Sequence, residues 1–212
     1  MKTTAYLGLV CALFLMGSRS QAGDQLLWSE IQQSHVFTTP PEWLGEQAPP
    51  ADESRALLLA LQACADSDPG ARADALENFL SLHPGSPWAP SLHLNLAERY
   101  VRVGARSAAL AHWAAAWNAT KNDKSRKAQA MAACSFASWA DSLLCQGQTK
   151  QLAALCHEID QIQLPLGSYG AEVAQTRAKL ERIVAYAERY QSCGLEALVT
   201  FASLRIWLCK PG

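Results

Sequence analysis

The sharpest reactive signal in this 212-residue chain is Cys193, followed by Gly194-Leu195-Glu196-Ala197-Leu198. An apolar helical run begins directly after it, and a thiolate at a helix N-terminus is stabilised by the helix dipole. A thiol nucleophile also needs a base to take its proton. All five histidines (His35, His83, His93, His112 and His157) precede Cys193, and only 19 residues follow it. A core thiol at a helix start is the competing reading. Cys156-His157 offers two metal-ligating types, but neighbours on a helix point about 100° apart, and no second pair has ligand spacing. Phosphate-loop and H-E-x-x-H patterns are absent. Asn118-Ala119-Thr120 is a formal glycosylation sequon. No catalytic residue, metal or cofactor is therefore expected.

Binding chemistry is better represented. His93, Asn95, Arg99 and Arg102 are the polar positions of one amphipathic run. Asn95, Arg99 and Arg102 step by four and three, which puts them in one stripe on a helix. These four residues are the candidate contacts to a protein or peptide partner, with a plain solvated face as the alternative. The net charge of −1 exerts no bulk pull on nucleic acid or anionic membrane, so neither is expected as a partner.

The elements that must position these residues are helical. Half of the chain is hydrophobic, enough for a core, and Ala and Leu outweigh β-branched runs. The start reads differently. Lys2, the apolar run Ala5–Met16 and small residues up to Ala22 have the pattern of an export signal over 1–22. That run is too short for a bilayer, which takes about 20 residues. Removal of the segment takes Lys2 and Arg19 with it, leaving 16 basic against 19 acidic residues. Six cysteines then remain, an even number in a chain expected outside the cytoplasm. Cys134 and Cys145 share one expected helix, about 16 Å apart. A disulfide needs Cα atoms within about 7 Å. Reduced, buried thiols are the expectation.

Residues 23–51 hold a short helix over 25–36 and then four prolines between 38 and 50, which preclude a continuous helix. Trp43-Leu44 is expected to anchor this extended segment on the first helices. Asp52 is placed to cap the next helix. Further helices are expected over 71–82, 90–103, 106–119, 128–146, 150–162 and 169–190, followed by an apolar run over 195–209. Gly70, Gly104 and Gly147 punctuate them.

An internal repeat orders the centre of the chain. Ala63 to Ala97, Gly70 to Gly104, Ala75 to Ala109 and Phe79 to Trp113 are each separated by 34 residues. Leu96, Ala97, Tyr100, Gly104, Ala109, Trp113 and Ala116 carry the pattern of small and aromatic residues that resembles the tetratricopeptide repeat. Small residues suit the helix crossing and aromatics fill the gaps beside it. His93 and Lys121 stand where that pattern has Trp and Pro, and the copy ending at Leu82 is weaker. The pair over 128–162 agrees only at Ala140 and Gly147, and Gly104 to Gly147 is 43 residues. Two helical hairpins with coincident spacing are the alternative.

A second resemblance lies further on. Cys193 to Leu198 is similar to the Cys-Gly-Pro-x-Ala-Leu nucleophile segment of papain-fold peptidases of the bacteriocin-processing type, with Leu195 in place of Pro. The region over 75–200 resembles the exported repeat region of large bacterial proteins that continue into such a domain. The expected organisation is a signal over 1–22, a Pro-rich segment over 23–51, tetratricopeptide-like repeats over 52–165, and a capping helix with the start of a further domain over 166–212. The fold class is all-α, a short solenoid of antiparallel helix pairs. The expected role is an exported protein-interaction scaffold without catalysis. The alternative is the front of a secreted cysteine-peptidase-like protein.

Overall fold

A computed structural model describes residues 25–65 and 73–190, all of whose regular structure is helical. Helix α1 covers 25–32. It is followed by α2 (Ala51–Ala65), α3 (Asp74–Leu82), α4 (Ala89–Arg102), α5 (Arg106–Thr120), α6 (Arg126–Cys145), α7 (Thr149–Ile162), a 3₁₀ turn (Gly167–Tyr169) and α8 (Gly170–Tyr190). The expected export signal, the turn at 68–70 and Cys193 with its apolar run lie outside the described residues. Two compact units divide the chain inside α4, between Asn95 and Leu96.

The first unit is built on Trp88, which is fully buried. Its ring meets Trp28 of α1 at 5.1 Å and the edge of Trp43 at 5.3 Å between centroids. The proline-rich segment is strapped down by backbone groups. Glu42 N–H donates to Ser91 Oγ at 2.7 Å, Leu44 N–H to the Pro87 carbonyl at 3.1 Å, and Gln32 Nε2 to the Pro41 carbonyl at 2.6 Å. The Trp43 anchor thus rests on the residues that open α4 as well as on the N-terminal helices. Beneath it, Ile31, Leu57, Leu61, Leu76 and Leu92 are fully enclosed. Ser86 donates to the Glu53 carboxylate and accepts the Trp88 N–H at 3.1 Å, tying α2 to the start of α4.

Two local expectations are corrected here. The first helix stops at 32 rather than 36, because Gln33 and Ser34 close turns onto Ser29 and Ile31 and His35 takes φ 50°. Asp52 does not cap α2. The helix begins one residue earlier, with Ser54 N–H bonded to the Pro50 carbonyl at 2.9 Å, and Asp52 lies in its first turn. There its negative charge suits the helix dipole.

The second unit is organised around α6, which packs against α5, α7 and α8. Its alanines explain why three neighbours fit. Ala132, Ala133, Ala137 and Ala140 are at most 2% exposed, so backbones approach closely on several sides. Phe136 and Leu143 fill the remaining space and are fully buried. Ser125 caps this helix by accepting Ala128 N–H at 3.3 Å, so it starts two residues before the expected 128. On α8, Val173, Thr176, Leu180 and Ile183 form the buried stripe.

Two turns in this unit are alike in detail. After α4, Ala105 N–H bonds to the Tyr100 carbonyl and Gly104 N–H to the Val101 carbonyl, at 2.8 and 3.0 Å. After α6, Gln148 N–H bonds to the Leu143 carbonyl and Gly147 N–H to the Leu144 carbonyl, at 2.9 and 3.0 Å. Both are Schellman motifs. Their glycines take φ 79° and 70°, and the residues that restart the helices, Ala105 and Gln148, share φ/ψ near −80°/60°. Left-handed backbone of this kind is open to glycine at little cost.

Burial tests the 34-residue register position by position. Phe79 and Trp113 are 3% and 5% exposed, so this aromatic position is buried in both copies. Ala109 is fully buried, whereas Ala75 is only half-buried, and Ala97 is fully buried, whereas Ala63 is exposed. The two copies thus agree at the aromatic of their second helices and differ at the small residues of both helices.

Candidate functional site

The turn at Gly104 brings the end of α4 beside the start of α5, and α6 and α8 complete a cavity of about 500 Å³ within the second unit. Arg102 and Arg106 bracket the turn. Trp113, almost fully buried, and Val101 supply the apolar part of the lining. Ser138, Asp141, Ser142 and Cys145 reach it from α6, and Glu98 and Glu172 from α4 and α8. The α6 residues share one face because they step by three, one and three along a helix of 3.6 residues per turn.

The charges around this cavity are not spent on each other. Among the described residues the ion pairs include Lys121–Glu158 and Arg177–Asp160. None joins Arg102 or Arg106 to Glu98, Asp141 or Glu172. Two guanidinium groups and three carboxylates therefore line one cavity with no ion pair among them. Asp141 has a weak contact with the Cys145 thiol at 4.0 Å.

Cys134 on α6 and Tyr169 in the 3₁₀ turn form a hydrogen-bonded pair. Burial pushes the Cys134 thiol up, hydrogen bonds from Tyr169 and Ser138 oppose this, and Glu98 and Glu172 add to the rise. Tyr169 is pushed up to about 12, first by its hydrogen bond with Cys134 and then by burial. Glu98 and Glu172, both in the cavity lining, thus act on this one thiol in the same direction.

Of the residues singled out from the sequence, Arg102 is exposed and lines the cavity. Arg99 is half-buried, with Nη2 enclosed and without a hydrogen-bond partner. Asn95 is only 4% exposed and His93 is half-buried. The stripe Asn95-Arg99-Arg102 is thus not an open face along its whole length, because its first member is enclosed. His93 and Asn95 also belong to the first unit, and Arg99 and Arg102 to the second. Cys156 is half-buried and His157 exposed. Cys64, Cys134, Cys145 and Cys156 are all reduced thiols.

The cavity residues on α5, α6 and α8 were not anticipated. A signal for the α6 group was present: three polar residues, Ser138, Asp141 and Ser142, at one-face spacing on an otherwise alanine- and leucine-rich helix. Among the described residues no helix is long and apolar enough to cross a membrane. Comparison of the chain with protein-family models, with curated proteins and with solved structures finds no match.

Proposed function

We propose that the chain is an exported, tetratricopeptide-like scaffold that binds a protein or peptide partner and carries no catalysis of its own. The observation that supports this most is the pair of matching turns. Two consecutive helix–Schellman–helix units, at Gly104 and Gly147, share hydrogen bonds and dihedral angles, as stacked repeats of one supersecondary unit do. Repeat stacks of this kind present grooves between neighbouring units. The charged cavity between α4, α5, α6 and α8 is the groove of this solenoid, and α8 is its capping helix. Export rests on the signal-like pattern over 1–22.

The test is photo-cross-linking in the producing cell. A photoactivatable residue at Val101, on the cavity, captures a discrete partner, while the same residue at exposed Asn122 in the α5–α6 loop does not. Equal background at both positions would remove the binding reading. Hydrolysis of peptides by the purified chain, abolished by Cys193→Ala, would replace it with an enzyme.

A further inference from the structure

The turns at Gly104 and Gly147 share a register with the helices on either side of them. Each glycine stands two residues after the last helical residue, Arg102 or Cys145, and two before the next helix, which begins at Arg106 or Thr149. Seven residues before each glycine stands an alanine, Ala97 or Ala140, at most 1% exposed. The fifth, eighth and twelfth residues after each glycine are buried: Ala109, His112 and Ala116 in α5, and Leu152, Leu155 and Ile159 in α7. That spacing keeps one face of a helix turned to its neighbours.

The same register recurs in the sequence at Gly194. Ala187 stands seven residues before it, and Val199, Ala202 and Ile206, all apolar, stand five, eight and twelve after it. Tyr190 falls where Tyr100 and Leu143 supply the carbonyl that closes the turn, and Leu195 where Ala105 and Gln148 supply the N–H. Tyr190 and Leu195 would also make the apolar contact that often accompanies such a turn. On α8, which packs on α6, α7 and the 3₁₀ turn, Ala187 is only half-buried, unlike Ala97 and Ala140, and Val184 is 40% exposed. A short connection makes consecutive helices antiparallel neighbours. Val184 lies ten residues before Gly194, so a helix returning from that glycine along α8 passes it between Ala202 and Ile206.

We infer that residues 191–209, which lie outside the described residues, close a third helix–Schellman–helix unit on the open side of α8. Gly194 takes the left-handed turn, and Val199, Ala202 and Ile206 pack against Ala187 and Val184. The capping role then falls to α8 and this segment together. The unit also fixes the place of Cys193, which falls where Val103 and Gln146 precede their glycines. There the thiol meets the negative end of the α8 dipole, the opposite of the setting that stabilises a thiolate. Cys193-Gly194 is thus a repeat turn and not a nucleophile segment. This inference rests on the repeat reading of the two described turns and extends it to a third.

Methyl and amide NMR of the purified full chain tests this without any substitution. Val184 should show nuclear Overhauser contacts to Ala202 or Ile206 within one molecule. The Gly194 and Leu195 amides, bonded to the Gln191 and Tyr190 carbonyls, should exchange at least about tenfold more slowly than in an unstructured chain. Gly194→Ala should lower the thermal midpoint as Gly104→Ala does. Freely exchanging amides at Gly194 and Leu195, no contact from Val184 to residues 199–206, or a midpoint unmoved by Gly194→Ala overturns the inference. So do Val184 contacts that appear only between molecules in a mixed-label sample, which would put a second copy on α8 instead. Capture of a partner at Val101 is read separately. With capture but no third unit, the scaffold reading stands and this inference fails; with a third unit but no capture, the architecture stands and the binding role fails.

Discussion

Trp117 on α5 donates its indole N–H to the Glu158 carboxylate on α7 at 3.2 Å, across the helix that lies between them in sequence. Lys121 reaches the other oxygen of the same carboxylate at 2.5 Å. Burial alone would raise the Glu158 carboxyl, but the Lys121 and Trp117 hydrogen bonds outweigh it and hold it below its ordinary value. The depressed carboxylate contributes stability that is present above the ordinary glutamate range and lost as pH falls through the folded value. Glu158→Gln should cost about 1 kcal/mol at neutral pH and flatten the acid limb of the stability profile. Urea denaturation between pH 3 and 7 reads both; an acid limb as steep as wild type would contradict the assignment.

Gly104 has φ 79° and nothing within 4 Å of where a Cβ would stand. A side chain there meets no steric clash, so the cost of Gly104→Ala is that of left-handed backbone, about 1 kcal/mol. Gly147 has φ 70° and the same open surroundings, and Gly147→Ala should cost about the same. Thermal denaturation of both variants tests whether the two turns are equivalent. A large difference between them would mean that the shared hydrogen-bond pattern conceals different strain.

Trp88 is fully buried beneath Trp28 and Trp43. Trp88→Ala should therefore cost about 3–5 kcal/mol, the usual range for a large aromatic lost from a core. Trp43 is only half-buried, so Trp43→Ala should cost less and act locally, freeing the strap over 38–50. Limited proteolysis would show this as cleavage within the strap while the helices of the first unit persist. Simultaneous unfolding of α2 and α3 would show that the strap is integral to that core.

Much of this was legible in the sequence, and the reasons for the rest are physical. Helix positions followed from the spacing of Leu and Ala and from punctuation at Gly104 and Gly147, because these signals are local. Helix ends were less readable. The start of α2 is set by the Pro50 carbonyl rather than by a capping side chain at Asp52. The enclosure of Asn95 was invisible, because a polar residue's burial depends on what packs over it, here within a unit whose core comes from distant segments. The cavity depended on four helices coming together, and only its α6 wall left a trace in one stretch of sequence.

Two of the cavity's carboxylates can be read through a thiol. Glu98 and Glu172 add to the rise that burial imposes on Cys134. Replacing both with Gln removes that contribution, lowers the thiol's value and should speed its alkylation near pH 8. Cys64, 3% exposed, should stay slow in either protein because its access is limited by burial. Rates resolved by mass spectrometry make the comparison. An unchanged Cys134 rate would show that the two carboxylates do not act on the thiol.

The charged cavity of the second unit is where a partner is proposed to bind. Hydrogen–deuterium exchange of the purified chain, with and without the partner captured through Val101, tests this most directly. Slowed exchange should be confined to the end of α4, the start of α5, residues 138–146 at the end of α6 and the first turn of α8. Exchange unchanged over these segments at saturating partner, or protection confined to the first unit, would contradict it.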